Sequence, residues 1–351
     1  MSKLANDTRV FDVDPAIEVQ NVRFANRYGF NLAGHLYLPK SFAEGEKYQA
    51  IAITGPFGAV KEQASGLYAQ TLAQHGFVTL AFDQSMTGES SGTRRNVASS
   101  DIFVEDFSAA VDFLGSQKFV DRERIGILGI CGLGSHALTA ASIDTRIKAV
   151  ATSVMYDMSS SMWDGIGTPK TEEQREVEKQ YLADMRWKEV DSGKQVPGPH
   201  ELAFDQNNRP LYAASLFPQK LPVDADSITK DFYNYYVQRA FHPRSINSTT
   251  AWDAVSLWSY YNFPLQQNID KITAPKLIVT GEKAHSRYMA EAAYKRLTDP
   301  KELVVVPGAT HCDLYDQMAK IPFAKFAAFF KKTNCQTKCN GSSKNISNGV
   351  W

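Results

Sequence analysis

Residues 124–135, Arg124-Ile125-Gly126-Ile127-Leu128-Gly129-Ile130-Cys131-Gly132-Leu133-Gly134-Ser135, decide how the rest of the chain is read. The apolar run to Ile130 predicts a buried strand, and the small residues from Ala137 to Ala141 predict a helix behind it. A glycine-rich turn joins them, with Cys131 at its apex. Such a turn needs positive φ and close backbone approach, which glycine permits. A buried strand feeding an elbow of this kind holds the apical side chain clear of the sheet. The N-terminus of the following helix lowers a thiol pKa, and the thiolate is the reactive form. Together these features favour a nucleophile over the inert small hydrophobe that a buried cysteine usually is.

Outward from this stretch, the chain alternates strand and helix. Residues 17–24 and 32–38 alternate apolar and polar across Asn26-Arg27-Tyr28-Gly29, the pattern of an antiparallel hairpin at a sheet edge. Tyr48–Thr54 and Phe77–Phe82 read as buried strands, separated by a helix from Lys61 to His75 that Gly76 stops. Asp101–Gln117 is apolar at close to a 3.6-residue period and predicts a helix. A strand is expected over Arg146–Val154. The alternation stops from 158 to 272, where helices near 170–190, 227–240 and 250–262 are expected and no strand pattern occurs. It resumes with a strand over Pro275–Gly281, a helix over Ser286–Leu297, a strand over Glu302–Pro307 and a final helix over Asp313–Lys331. Strands and helices in this order imply a mostly parallel sheet covered on both faces. The expected domains are a core of 16–157 and 273–332, a helical lid of 158–272, and a flexible tail of 333–351.

Composition is that of an ordinary soluble globular protein. Lys plus Arg and Asp plus Glu both number 38, so no charge footprint points to nucleic acid or an anionic membrane. No run approaches the roughly 18 apolar residues of a membrane helix. Residues 1–7 turn polar at once, without the apolar stretch of a secretory signal. The sequons at Asn6, Asn247, Asn340 and Asn345 are therefore expected to be chance matches. The four cysteines suit a cytoplasmic protein with free thiols. Cys335 and Cys339 lie in a polar tail without a flanking histidine and make no zinc site. No phosphate-binding loop or metal-ligand cluster is visible, so no cofactor is expected. A homodimer is compatible with the sequence, which does not fix the oligomeric state.

A cysteine nucleophile needs a base. Of the seven histidines, His311 follows the last strand in Val306-Pro307-Gly308-Ala309-Thr310-His311. In a parallel sheet the carboxyl ends of the strands gather at one edge, where ligands bind. Cys131 and His311 would meet there, and His285, after the penultimate strand, is the competitor. His35, His75, His136, His200 and His242 read as structural. An acid should fix the histidine tautomer. Asp157, after the 146–154 strand, and Glu282, after the penultimate strand, are equal candidates, ahead of Asp313, Asp316 and Asp83. An oxyanion hole needs backbone N–H groups, supplied by Gly132 and by Phe57 or Gly58 in Gly55-Pro56-Phe57-Gly58. Glu62 reads as compensation of a helix dipole rather than as a contact to Cys131.

The order nucleophile, acid, histidine, with the Gly55–Gly58 loop, resembles the α/β-hydrolase fold over nearly all of residues 20–332. A cysteine nucleophile resembles its dienelactone-hydrolase branch. The runs Val60-Lys61-Glu62-Gln63, Leu80-Ala81-Phe82-Asp83, Gly126–Cys131, Met155-Tyr156-Asp157-Met158 and Gly308-Ala309-Thr310-His311 resemble a bacterial and fungal set that includes polyketide transferases. The resemblance implies an acyl-transfer enzyme with a Cys-His-acid triad and an acyl-cysteine intermediate. It would hydrolyse an ester, thioester or lactone, or transfer its apolar, polyketide-like acyl group. Two features depart from the pattern. Leu133 stands where the second glycine of the elbow is usual, which would move close helix packing to Gly134. Ala284 stands where the acid after the penultimate strand is usual. These departures keep open a non-catalytic small-molecule-binding protein on the same fold. Cys312 beside His311 keeps open a redox-sensing thiol protein.

Overall fold

The computed structural model describes residues 8–339, apart from 168, 200–201, 206, 208, 212–216 and 218–219. The sequons at Asn6, Asn340 and Asn345, and His200, lie outside the described residues. So does the part of the expected tail from 340 onwards.

An antiparallel hairpin, β1 (Glu18–Ala25) and β2 (Asn31–Leu38), opens the sheet at one edge. Next come β3 (Tyr48–Thr54), α1 (Ala64–Gln74), β4 (Val78–Phe82), α2 (Ser100–Ser116), β5 (Val120–Ile130), α3 (Leu133–Ile143) and β6 (Ala149–Ser153). After a long insertion the core resumes with β11 (Lys276–Gly281), α9 (Arg287–Arg296), β12 (Lys301–Val306), α10 (Asp313–Asp316) and α11 (Phe323–Cys339). The eight-stranded sheet runs in the order β1-β2-β4-β3-β5-β6-β11-β12. β2 pairs antiparallel with β4, and β4, β3, β5, β6, β11 and β12 are parallel. Every residue of β4, β6 and β11 is buried, as continuous apolar runs require when helices cover both faces.

The order of the strands fixes the site. β3 connects to β4 on one side, and the chain then crosses back to β5 on the other. The carboxyl ends of β3 and β5 therefore flank the point where connections diverge, and a crevice opens there. The loop 55–60 leaves one of these ends and Cys131 the other.

The insertion contains α4 (Met158–Asp164), α5 (Glu172–Ser192), β7 (Pro197–Gly198), β8 (Ala203–Phe204), β9 (Pro210–Leu211) and α6 (Ser227–Tyr233). α6 continues as a π-helical segment, Asn234–Arg239. Then come α7 (Ile246–Thr249), β10 (Trp252–Asp253) and α8 (Leu257–Asn262). The expectation of no strands here fails in detail, because β7 pairs with β10 and β8 with β9 as two-residue ladders. Such short ladders leave no periodic trace in a sequence. α5 begins with a capping box, Thr171 and Gln174 each bonding the other's backbone.

The expected single helix over 313–331 is two helices. α10 stops at Asp316, and α11 begins directly after Pro322, whose carbonyl accepts from Lys325 and Phe326 N–H. Proline suits a first helical turn and cannot sit inside a helix. α11 extends to Cys339, past the position where the tail was expected to begin. Among the described residues no helix is long and apolar enough to cross a membrane.

Candidate active site

Cys131 stands between β5 and α3 with φ +55°. Its N–H donates to Ser153 O at 2.9 Å, and its carbonyl accepts from Gly134 N at 2.9 Å and Tyr156 N at 3.0 Å. The left-handed backbone thus falls on the cysteine, not on a glycine, at a cost of about 1–3 kcal/mol that the surrounding hydrogen bonds sustain. The elbow glycines serve close approach instead. A Cβ on Gly129 would lie 2.3 Å from Leu133 O, and one on Gly134 would lie 2.5 Å from Met155 Cβ. Gly134 thus takes the tight packing that Leu133 cannot. The Cys131 sulfur receives the N–H groups of Gly132 and Phe57 and faces the Tyr315 hydroxyl. Burial dominates and pushes the thiol up to about 11. The expectation of a thiol lowered by its helix is therefore reversed: the N–H donors favour the thiolate, but desolvation of a fully buried sulfur outweighs them.

His311 is fully buried. Its Nε2 lies 2.9 Å from the Tyr315 hydroxyl and its Nδ1 2.8 Å from Ser286 Oγ. Ser286 Oγ in turn donates to Val154 O at 3.5 Å. Val154, directly after β6, has φ +42°, a strained conformation for a β-branched residue. With the Ser286 proton directed to Val154 O, Ser286 accepts from Nδ1–H, and Nε2 is left as the acceptor of the Tyr315 proton. Burial, then the neighbouring His285, holds His311 well below the ordinary histidine value. His285 lies alongside with ring centroids 4.7 Å apart and is hydrogen-bonded to the Tyr156 hydroxyl.

Neither expected acid meets His311. Asp157 caps α4 by accepting from Ser160 N at 3.3 Å. Glu282 is exposed and accepts from Gly308 N at 2.7 Å. The lesser candidates are also engaged elsewhere: Asp83 with Lys61, Asp313 with Lys320, and Asp316 with Arg239. The place an acid would take at Nδ1 is held by Ser286. Two functional neighbours of His311 are thus absent from the sequence reading. Tyr315 could have been found from its spacing, since residues four apart in a helical turn share a face. Ser286 is 25 positions away and has no local signal.

The loop after β3 is shaped for close contact. A Cβ on Gly55, at φ +104°, would lie 2.3 Å from Ile130 O. The Gly58 carbonyl accepts from Ser245 Oγ and Asn247 N. Asn247 Nδ2 donates to Phe57 O at 2.7 Å, and the Phe57 ring stacks on Trp252 at 4.3 Å. The insertion therefore holds the loop. Glu62 lies before the first turn of α1 and is engaged in ion pairs. α1 begins two residues later, and Glu62 pairs with Lys61 at 2.9 Å and Arg244 at 2.5 Å. His35 is buried in β2, His75 ends α1, His136 bonds Gly132 O and Tyr260, and His242 is buried near Glu62.

A cavity of about 400 Å³ opens over Cys131, walled by Met158, Met162, Ile166, Phe217, Phe232 and Tyr236. Phe57, Tyr156, His285, Asn247 and Asp226 also line it. That is the size and mixed lining of a small-molecule site. The aromatics of the insertion divide. Phe232 and Tyr236 face the cavity, Tyr233, Tyr235, Tyr260 and Trp252 are buried in the insertion, and Phe241, Trp258 and Phe263 are exposed.

A family described as PET hydrolase-like matches residues 9–172. PA2218, an uncharacterised protein of Pseudomonas aeruginosa, is 48% identical over 324 residues, covering 92% of this chain and 82% of its own. Its crystal structure superposes with a TM-score of 0.85 over 94% of this chain and 98% of that one. YcjY of Escherichia coli, also uncharacterised, is 32% identical over 322 residues, covering 88% and 96%. A thiohydrolase of Eupenicillium brefeldianum is 23% identical over 316 residues, covering 89% and 94%. This chain belongs to the α/β-hydrolase superfamily. Within that superfamily it is an enzyme of the hydrolase or acyltransferase kind.

Proposed function

We propose that this protein transfers acyl groups through a covalent acyl-cysteine at Cys131, with His311 as base. One observation carries the reading. A cysteine forced to φ +55° presents its sulfur to the N–H groups of Phe57 and Gly132 at the foot of a mostly apolar cavity. Two backbone donors that converge beside a nucleophile are what a tetrahedral oxyanion requires. The thiol and imidazole are both held neutral, so the thiol loses its proton to His311 as it attacks, by general-base catalysis. The apolar wall fits an apolar acyl group, polyketide-like or otherwise. The thiohydrolase relative supports a thioester or ester as its carrier. Water completes the cycle as hydrolysis, and a second nucleophile completes it as transfer.

The test is turnover of a panel of activated esters and thioesters by Cys131→Ala and Cys131→Ser. Loss of at least about 10³-fold in the alanine variant is expected. Undiminished turnover by Cys131→Ala would remove the reading. One observation favours a second reading, a binding protein on the same fold: among the described residues His311 has no carboxylate partner. Ligand binding without turnover of any panel member, and a wild-type affinity in Cys131→Ala, would support it.

A further inference from the structure

We infer that Tyr315 is a catalytic residue that carries the proton between Cys131 and His311, with Ser286, in place of an acid, as the positioning residue of that histidine. The inference rests on the acyl-cysteine reading above. Its ground is a continuous line of hydrogen-bonding groups. The Tyr315 hydroxyl touches the Cys131 sulfur on one side and lies 2.9 Å from His311 Nε2 on the other. His311 Nδ1 lies 2.8 Å from Ser286 Oγ, which donates to the Val154 carbonyl. Thiol, phenol, neutral imidazole and serine hydroxyl can each donate one hydrogen bond and accept another, which lets the line run from sulfur to Val154.

Tyr315 is held for this place. It is fully buried, and its ring meets those of Tyr235 at 4.9 Å and His311 at 5.2 Å. The short helix that carries it is pinned at both sides. Tyr68 Oη donates to Leu314 O at 2.6 Å, and Arg239 of the insertion pairs with Asp316 at 2.8 Å. A buried tyrosine hydroxyl needs partners, and this one finds them in the proposed nucleophile and base.

The step balances as follows. The sulfur bonds the carbonyl carbon of the substrate, and the C=O π pair moves to oxygen. The S–H proton passes to Tyr315 Oη as the Tyr315 proton passes to His311 Nε2. On collapse the oxygen pair reforms the carbonyl, and the bond to the departing alkoxide or thiolate breaks. The imidazolium proton returns by the same route to the leaving group. Tyrosine ends as it began. The oxyanion takes the Phe57 and Gly132 N–H groups that face the sulfur at rest.

The experiment measures the acylation burst of wild type, Tyr315→Phe, His311→Ala and the double variant with an activated ester of p-nitrophenol. Tyr315→Phe is expected to slow the burst by about 10²-fold or more, the scale of a lost general-base path. His311→Ala should then add less than about threefold, because residues acting as one unit are not additive. A Tyr315→Phe burst at the wild-type rate, or losses that multiply in the double variant, would overturn the relay while leaving Cys131 as nucleophile. A burst that survives Cys131→Ala would instead overturn the acyl-cysteine reading. If Tyr315→Phe does not fold, the solvent isotope dependence of the wild-type burst decides. A curved proton inventory marks two protons in flight, and a linear one overturns the relay. For Ser286→Ala, the burst falls and the acid limb of its pH profile moves, while Ser286→Thr restores both. An unmoved limb in Ser286→Ala would overturn the positioning role.

Discussion

Replacing Gly132 by alanine tests whether the two N–H groups beside Cys131 must stand where they are. The new Cβ would lie 2.7 Å from Met158 Sδ and 2.7 Å from Phe57 Cβ, roughly 0.8 Å inside van der Waals contact at about 3.5 Å. The two neighbours differ in how they can yield. The Met158 thioether can swing aside. Phe57 cannot, because its ring is stacked on Trp252 and its carbonyl is bonded by Asn247. The strain therefore moves the Phe57 backbone and parts its N–H from that of Gly132. Overpacking of this kind costs about 1–3 kcal/mol of stability. Loss of one oxyanion donor costs about 10²–10³ in kcat. The assay is kcat on the best panel substrate beside thermal unfolding of the same preparation. Adding Met158→Ala leaves the Phe57 contact in place and should not restore the rate. A Gly132→Ala enzyme with unreduced kcat, or a rate restored by Met158→Ala, would refute the reasoning.

Proton equilibria give a second outcome. His311 is depressed by burial, so it stays neutral, and competent as a base, below the ordinary value near 6.5. The acid limb of kcat/KM should fall below pH 6.5, and a limb at or above 6.5 would contradict the burial argument. With the Cys131 thiol pushed up to about 11, iodoacetamide alkylation should still be accelerating at pH 9–10, and a plateau near 8.5 would contradict it. The buried cation Lys61 gives a third. Its Nζ contacts Glu62, Asp83 and Glu89 at 2.9, 3.1 and 2.6 Å, and the Glu62 and Asp83 side chains are wholly buried. Lys61→Met leaves Asp83 without its cation and should cost about 3–5 kcal/mol in urea unfolding. A loss under about 1 kcal/mol would show the network to be dispensable.

The strands of the core and the strand-end positions of Cys131 and His311 are legible from local pattern. Buried parallel strands read as apolar runs, and their carboxyl ends converge by topology. What fails is what depends on space rather than spacing. The partner of His311 Nδ1 was sought as a carboxylate at Asp157 or Glu282, yet both satisfy nearby backbone N–H groups, and Ser286 is brought in by the turn before α9. The thiol pKa was read from the helix alone, and burial, invisible in the sequence, reverses it. Glu62 looked like a first-turn acid because the start of α1 was placed at Lys61; the helix begins at Ala64. Pro322 did announce the break between α10 and α11, and the apolar pattern running across it hid the signal.

The measurement that bears most directly on the account is intact-mass analysis of the enzyme, acid-quenched within its first turnover of an activated acyl ester or thioester. The account predicts a gain equal to the acyl group, mapped to the peptide carrying Cys131, removed by hydroxylamine and absent from Cys131→Ala. An adduct on another residue, or first-turnover product release by Cys131→Ala at the wild-type rate, would contradict it.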